Sequence, residues 1–450
     1  MELVIIAVFA VGYLAIAFEH RININKTASA LLTGVICWTL FILSDPSDWV
    51  LSSAAFQEHI VHASADVAGN SERFRDFVST ELSHHLGTIS EILFFLLGAM
   101  TIVELIDSHH GFRIITDRVR TKNPVTLMWI VCWMTFFLSS ILDNLTTTIV
   151  MVSLIRKLIP NHQMRLFFAG MIVIAANAGG AWTPIGDVTT TMLWIGGQIT
   201  TVSIMKSLFI PSVICILAPL LFLTFTMKGK FGANVATSAT RAGELVSTGK
   251  AMLVLGVLAL ISVPIFKTLT HLPPYMGMLA GLGALWVFSE SIQPHVDDAK
   301  KKHYSVAGAL SRVDVPSVLF FLGILLAVGA LESMQALNHF AMFLNDTIGD
   351  NRVIITLIGL LSAVVDNVPL VAASMGMYSL DVYPTDHMIW EYLAYCAGTG
   401  GSILIIGSAA GVAAMGMEKI DFLWYLKRMS VIALLGYLAG AGTYLLLQSI

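Results

Sequence analysis

The chain alternates long apolar runs with short polar connections, and that pattern admits very few folds. Apolar runs cover about residues 2–18, 27–44, 88–106, 203–227, 250–268, 275–290, 315–335 and 427–448. Each is close to the roughly 20 residues a helix needs to cross hydrocarbon. Backbone in lipid must satisfy its own polar groups, which leaves helices and closed barrels. A barrel requires strands that alternate apolar and polar residues, and these runs do not alternate. Charged residues make up 12% of the 450, half of the roughly 25% of a water-soluble chain. A soluble enzyme, a disordered chain and a nucleic-acid binder are thereby excluded, and a net charge of −4 implies no strongly acidic or basic partner. Cys37, Cys132, Cys215 and Cys396 lie far apart in apolar stretches without a CxxC, so neither a disulfide framework nor a zinc site is expected. Residues 2–18 lack a basic flank and read as a retained helix, not a signal peptide. No cofactor is expected.

Four further apolar regions are interrupted. Residues 124–160 contain Ser139-Ser140-Ile141-Leu142-Asp143-Asn144, and 165–198 contain Asn177-Ala178-Gly179-Gly180-Ala181-Trp182-Thr183-Pro184-Ile185-Gly186-Asp187. The last third holds Asp366-Asn367-Val368-Pro369 and Gly398-Thr399-Gly400-Gly401-Ser402. If 124–160 and 350–380 are re-entrant hairpins and the N-terminus is outside, 20 of the 25 Lys and Arg fall inside, among them Arg113, Arg118, Arg120, Lys122, Lys228, Lys230, Lys300, Lys301, Lys302, Lys427 and Arg428. The outside set is then Arg73, Arg75, Lys206, Lys267 and Arg352. Treating either hairpin as one crossing helix inverts every later loop. The expected fold is an all-α polytopic membrane protein of about ten crossing helices plus two hairpins, with both termini outside. The stretch 45–87 reads as a long loop of mixed charge, too polar to cross, with an interfacial or external helix in it.

The interruptions repeat. Ser-x-x-x-Asp-Asn occurs at Ser139…Asp143-Asn144 and at Ser362…Asp366-Asn367, and each is followed by a Gly pair, Gly179-Gly180 and Gly400-Gly401. Another glycine comes seven residues after the first of each pair, Gly186 and Gly407. Upstream, Phe94-Phe95-Leu96 leads to Glu104 and Phe320-Phe321-Leu322 to Glu332. Each half thus reads as helix, hairpin, broken helix, helix, and the topology makes the halves inverted. Paired, Gly/Pro-interrupted segments in inverted repeats point to a secondary transporter with its site where the repeats meet. The alternative is that the Gly pairs only permit close helix packing. The expected organisation is 1–87 N-terminal scaffold helices and external loop, 88–227 first repeat (hairpin 124–160, broken helix 165–198), 228–314 linker and scaffold helices, and 315–450 second repeat (hairpin 350–380, broken helix 386–415).

Asp143 and Asp366 stand mid-segment in apolar surroundings, where a charge costs about 2.5–3.5 kcal/mol on insertion scales. Such a residue needs a partner, a wet cavity or a function. With Asn144, Asn367 and Thr146, and with carbonyls freed at the helix breaks, these carboxylates supply the oxygen ligands a hard alkali cation takes. A carboxylate that holds Na+ when ionised and H+ otherwise makes the two ions compete, and competition suffices for exchange. Asn144, Asn367, Thr146, Thr147 and Thr148 are also expected to satisfy backbone groups at the hairpin tips, or to offer neutral oxygens to the cation. Either aspartate could instead merely cap a half-helix. Asp187 reads equally as a second carboxylate of the site or as a polar residue near the surface; its counterpart in the second half is Ser408. Glu104 and Glu332 read as proton relay or as surface bracing. The histidines fall in loops or at span ends, with pairs such as His84-His85 and His109-His110; His84 and His109 are candidates for pH sensing, with plain solvation the alternative.

These motifs, with Gly98-Ala99-Met100-Thr101-Ile102-Val103-Glu104-Leu105-Ile106-Asp107, resemble the NhaD family of bacterial Na+/H+ antiporters, from about residue 88 to the C-terminus. That family lies within a wider ion transporter superfamily holding dicarboxylate/Na+ symporters and arsenite carriers. The resemblance implies a homodimer in the bacterial inner membrane with periplasmic termini. It implies a transport domain of hairpins and broken helices that moves elevator-fashion, and Na+ or Li+ exchanged for H+. Asp143, Asn144, Asp366 and Asn367 are carried over as the cation and proton centre, with Na+ at Asp143 and Asp366; Asn177, Thr183, Asp187 and Thr399 join them. Dicarboxylate members carry Ser-Asn-Thr at the tips; carboxylates there repel an anion and suit a bare cation. The alternative is a Na+-coupled dicarboxylate or oxyanion carrier of the same fold. An intramembrane aspartyl protease lacks its Gly-x-Gly-Asp context here, so no enzyme is expected.

Overall fold

Caps and glycines decide where each apolar run starts, stops and breaks. A computed structural model describes residues 1–17, 19–22, 24–62, 70–112, 121, 123–227, 247–292, 305–364 and 366–449. The described residues form helices joined by turns, and seven helices are long and apolar enough to cross a membrane. They are Lys26–Leu43, Glu72–Ser108, His162–Ala181, Thr201–Thr226, Gly249–Thr270, Val315–Ser333 and Ser430–Leu447, with shorter apolar helices besides. The chain is an all-α polytopic membrane protein. Of the basic residues behind the orientation, Arg113, Arg118, Arg120, Lys122, Lys228, Lys230, Lys300, Lys301 and Lys302 lie outside the described residues.

One boundary differs from the sequence reading. The apolar run 88–106 is the second half of a single 39-residue helix, Asn70–Ser108. The polar stretch before it continues the helix because Phe74, Phe77 and Val78, at helical spacing, are buried. His84 and His85 therefore sit inside a helix, not in a loop or at a span end.

The helices group into two compact units. The first comprises Met1–Leu93, Asp314–Ile354 and Val368–Pro384. Its core is the pairing of Lys26–Leu43 with Val315–Ser333, which cross at glycines: a Cβ at Gly34 would stand 2.6 Å from the Gly323 carbonyl oxygen, and one at Gly323 2.5 Å from Leu31 N. Small residues at such a crossing let backbones touch where lipid supplies no hydrophobic drive between helices. Trp38 Nε1 donates to the Leu326 carbonyl at 2.8 Å beside this crossing.

The second unit comprises Phe94–Val313, Ile355–Asn367 and Thr385–Ile450. It contains a helix pair, Pro124–Ser139 and Asn144–Leu158, and a helix broken between His162–Ala181 and Val188–Ile195. Later in the chain the same element order recurs: Asn351–Leu361 and Asn367–Met377, of which Asn351–Ile354 and Val368–Met377 belong to the first unit, then Met388–Gly400 and Ala409–Glu418 either side of a second break. Three contacts recur within the second unit. Ser139 Oγ donates to the Ala176 carbonyl at 2.6 Å, and Ser362 Oγ to the Ala397 carbonyl at 2.9 Å. A Cβ at Gly179 would overlap the Phe136 carbonyl oxygen, and one at Gly400 the Gly359 carbonyl oxygen. A Cβ at Gly186 would lie 2.7 Å from the Ser139 oxygen, and one at Gly407 2.6 Å from the Ser362 oxygen. In each copy the end of the first hairpin helix is thus bolted to its own broken helix by one serine and two glycines.

Because the obstructing atoms at Gly179 and Gly400 are backbone, no rotamer change relieves them. Gly400→Ala is expected to destabilise the protein by at least the ~1–3 kcal/mol of core overpacking, read as a lower midpoint in detergent thermal denaturation, whereas Gly416→Ala, with open space around it, leaves the midpoint unchanged.

Candidate functional site

At the first tip Ser140 closes the helix, and Asp143 caps the next one. Its two carboxylate oxygens accept from the Thr146 N–H and the Thr146 hydroxyl, each at 2.7 Å. A carboxylate at a helix N-terminus is favoured by the amides and by the helix dipole. Asn144, 4% exposed, donates from Nδ2 to Asn177 Oδ1 at 3.1 Å. Asn177, at the end of the first broken helix's leading half, donates in turn to Ser408 Oγ at 3.0 Å. Ser408 caps the trailing half of the second broken helix, accepting from the Gly411 N–H at 3.2 Å. A polar chain therefore runs from the first tip across both breaks.

The second tip builds the matching chain with different chemistry. Asn367 Nδ2 donates to Asp187 Oδ2 at 3.3 Å. Asp187, 2% exposed, caps the trailing half of the first broken helix through the Thr189 N–H at 3.3 Å. Asp366 directly precedes Asn367 in the chain, so the second tip carries its own aspartate next to the residue that holds Asp187. Equivalent positions show what differs. Asn177 corresponds to Gly398 and Asp187 to Ser408 in the repeat. A Cβ at Gly398 would lie 3.3 Å from Asp187 Oδ2. One arm places an amide against a hydroxyl; the other leaves out a side chain and places a carboxylate there.

The remaining candidates divide. Thr183 Oγ1 donates to the Ser140 carbonyl at the first hairpin tip at 2.7 Å, and Thr399 Oγ1 to the Tyr395 carbonyl of its own helix at 2.6 Å, so both hydroxyls are engaged with backbone. Of the threonines expected to satisfy tip backbone, the Thr146 hydroxyl bonds the Asp143 carboxylate instead, and Thr147 and Thr148 bond no backbone group through their hydroxyls. Their hydroxyls are buried with no hydrogen-bond partner among the described residues. Unused oxygens in the turn that follows Asp143 are what a dehydrated hard cation requires, and the sequence alone does not tell a used hydroxyl from an unused one. Glu104 pairs with Arg312 at 3.0 Å, both about a third exposed, which is a bracing geometry. Glu332 belongs to the first unit, where a Cβ at Gly376 would lie 3.2 Å from its carboxyl carbon. Beside it Ser333 Oγ donates to Glu81 at 2.9 Å and meets His85 Nε2 at 3.0 Å. His85, not the exposed His84, is the bonded member of that pair. His109 is 4% exposed.

Asn177→Ala would leave the Asn144 amide and the Ser408 hydroxyl buried without their shared partner. The expected cost is about 1–3 kcal/mol, measurable as a lower denaturation midpoint.

A family model described as citrate transporter (CitMHS) matches residues 13–390. Sodium/proton antiporter 1 of Arabidopsis thaliana is 47% identical over 442 residues, 98% of this chain and 72% of the relative. Sodium/proton antiporter 2 of the same plant is 45% identical, covering 97% of each chain. The Na(+)/H(+) antiporter NhaD of Vibrio cholerae is 31% identical over 98% of this chain and 91% of its own. These proteins are carriers, not enzymes, and the resemblance to NhaD read from the hairpin motifs extends over nearly the whole chain. By the model match and by these identities, the chain belongs to the citrate transporter family of membrane transporters, with the NhaD-type antiporters among its homologues.

Proposed function

We propose that the protein exchanges Na+, and Li+, for H+ across the membrane, the cation and the proton competing for Asp143 and Asp366, with Asp187 as the third carboxylate of the same centre. The observation that carries this reading is a capping carboxylate at the first break, Asp187, buried and held by the second tip through Asn367, together with Asp143 capping the first tip and buried hydroxyls at Thr147 and Thr148 that have no partner among the described residues. The names of the relatives support it. A centre loaded with a cation or with protons loses charge and crosses hydrocarbon at lower cost than the bare anionic centre. Only loaded carriers then change sides, and exchange follows. Asn144, Asn177, Asn367 and Ser408 keep the acids in place, while Thr146 holds the Asp143 carboxylate until an ion displaces its hydroxyl.

Alternating access by an elevator-like movement is supported by the bolting of the first helix of each hairpin to its broken helix, which suits those segments to move together. The movable part would then come from repeats 88–227 and 315–450, with 1–87 and 228–314 serving as scaffold. A homodimer in a bacterial inner membrane, termini on the outer side, completes the reading. The basic residues Arg156, Lys157, Arg165, Lys427 and Arg428 all fall on the inner side in that orientation.

The family description favours a second reading, a carrier of citrate or a related anion coupled to Na+. Three acids at the centre argue against it, because a polyanion would meet like charge in a medium that screens poorly.

Proteoliposomes with an imposed pH gradient separate the two. Collapse of the gradient by Na+ or Li+ supports exchange; collapse only with citrate or succinate supports the anion carrier. Asp143→Asn and Asp366→Asn are each expected to reduce cation-dependent proton movement to background while the protein still inserts. Wild-type exchange in both single variants would remove the assigned centre.

A further inference from the structure

Glu418 is the last residue of the Ala409–Glu418 helix and its side chain is 1% exposed. A carboxylate there opposes the helix dipole and is buried as well. It is held by cations from other elements. Arg156 Nε, at the end of the first hairpin, donates to Oε1 at 2.8 Å, and Arg165 Nε, at the start of the first broken helix, donates to Oε2 at 3.0 Å. Arg156 Nη2 also donates to the Met417 carbonyl. His162 Nε2 lies 3.0 Å from the Glu418 carbonyl oxygen. Arg165 Nη1 ties the group to the Ile159 and Pro160 carbonyls. The bonds are charge-assisted and made in two directions, which fixes position as well as adding strength.

The other end of the same helix is Ser408, the residue that accepts from Asn177 in the centre. Ten helical residues span about 15 Å. The equivalent corner of the repeat is tied without an ion pair: Asp386 accepts from Thr200 N at 2.6 Å and from Thr200 Oγ1 at 2.8 Å, and Thr385 Oγ1 donates to the Gly197 carbonyl at 2.7 Å. Both trailing half-helices are therefore anchored at their far ends to the start of the opposite broken helix.

The geometry points to Glu418 as a positioning residue for the ion centre: the helix is a strut that transmits the placement of the Arg156–Glu418–Arg165 clamp to Ser408, and through Ser408 to Asn177 and Asn144. This rests on the exchange reading for its transport consequence but not for its structural one. Loss of the clamp lets the strut tilt, so the centre binds cation less well while the carrier still turns over.

The test compares wild type, Glu418→Gln and Arg156→Gln in proteoliposomes, with hydrogen exchange measured on the same full-length proteins in detergent. Glu418→Gln is expected to raise the Na+ KM about tenfold, the low end for residues that orient ligands from behind, with the maximal rate retained. Faster exchange at the Gly411 amide, whose bond to Ser408 marks the seat of the strut, accompanies it. Glu418→Gln combined with Ser408→Ala raises KM no further than the larger single effect. An unchanged KM and unchanged Gly411 protection in inserted Glu418→Gln overturns the proposal. Should Glu418→Gln not accumulate, Arg156→Gln, which leaves Arg165 on the carboxylate, takes its place: a raised KM with faster Gly411 exchange supports the strut, and no change in either overturns it. If wild type exchanges no Na+, the exchange reading fails, and Gly411 protection alone decides the strut.

Discussion

A helix broken inside hydrocarbon exposes amides and carbonyls that have no water to turn to, and unpaired groups there cost several kcal/mol each. Everything at this centre follows from how those groups are satisfied. Ser139 and Ser362 reach back to carbonyls of their own broken helices. Asp143, Asp187 and Ser408 cap the new helix starts. Thr183 takes the Ser140 carbonyl at the hairpin tip, and Thr399 bonds back one turn to the Tyr395 carbonyl of its own helix. The residues that make the fold possible are in part those that could hold an ion, so stability and function cannot be assigned to separate sets of side chains.

The same requirement is met at the periphery of the second unit. Glu391, 2% exposed, accepts from the hydroxyls of Ser203, Ser207 and Tyr444 at 2.6–2.9 Å. Glu418 is held by arginines instead. A buried carboxylate is tolerated when each oxygen finds donors, and the chain uses both neutral and charged solutions.

How far the sequence could be read depended on whether information was local. Asp-Asn and Gly-Gly spacings are local, so the duplicated hairpins and broken helices, and with them the all-helical class, were visible in the residues alone. The long reach of the Asn70–Ser108 helix was not, because its polar first half is helical only where Phe74, Phe77 and Val78 find partners to bury them. The role of Ser408 was hidden because its partner Asn177 lies 231 residues away, and that of Glu418 because its arginines lie 262 and 253 residues away. Glu418 looks in sequence like an ordinary charge after a small-residue helix. Among the threonines, Thr146 and Thr147 are indistinguishable by type; only the turn of the helix makes one a cap partner and leaves the other without a bond.

The exchange of roles between Asn177 and Gly398, and between Asp187 and Ser408, has a bearing on direction. Two inverted copies with identical side chains would present the same face to either compartment, and forward and reverse cycles would be kinetically alike. Here Asp187, held by Asn367, has no acidic counterpart, since Ser408, held by Asn177, stands at the equivalent position. Such a carrier still obeys the gradients it couples, since asymmetry of structure supplies no work. Yet its half-saturation on one side need not equal that on the other, so it can fill at low concentration where cargo is scarce and empty where cargo is plentiful.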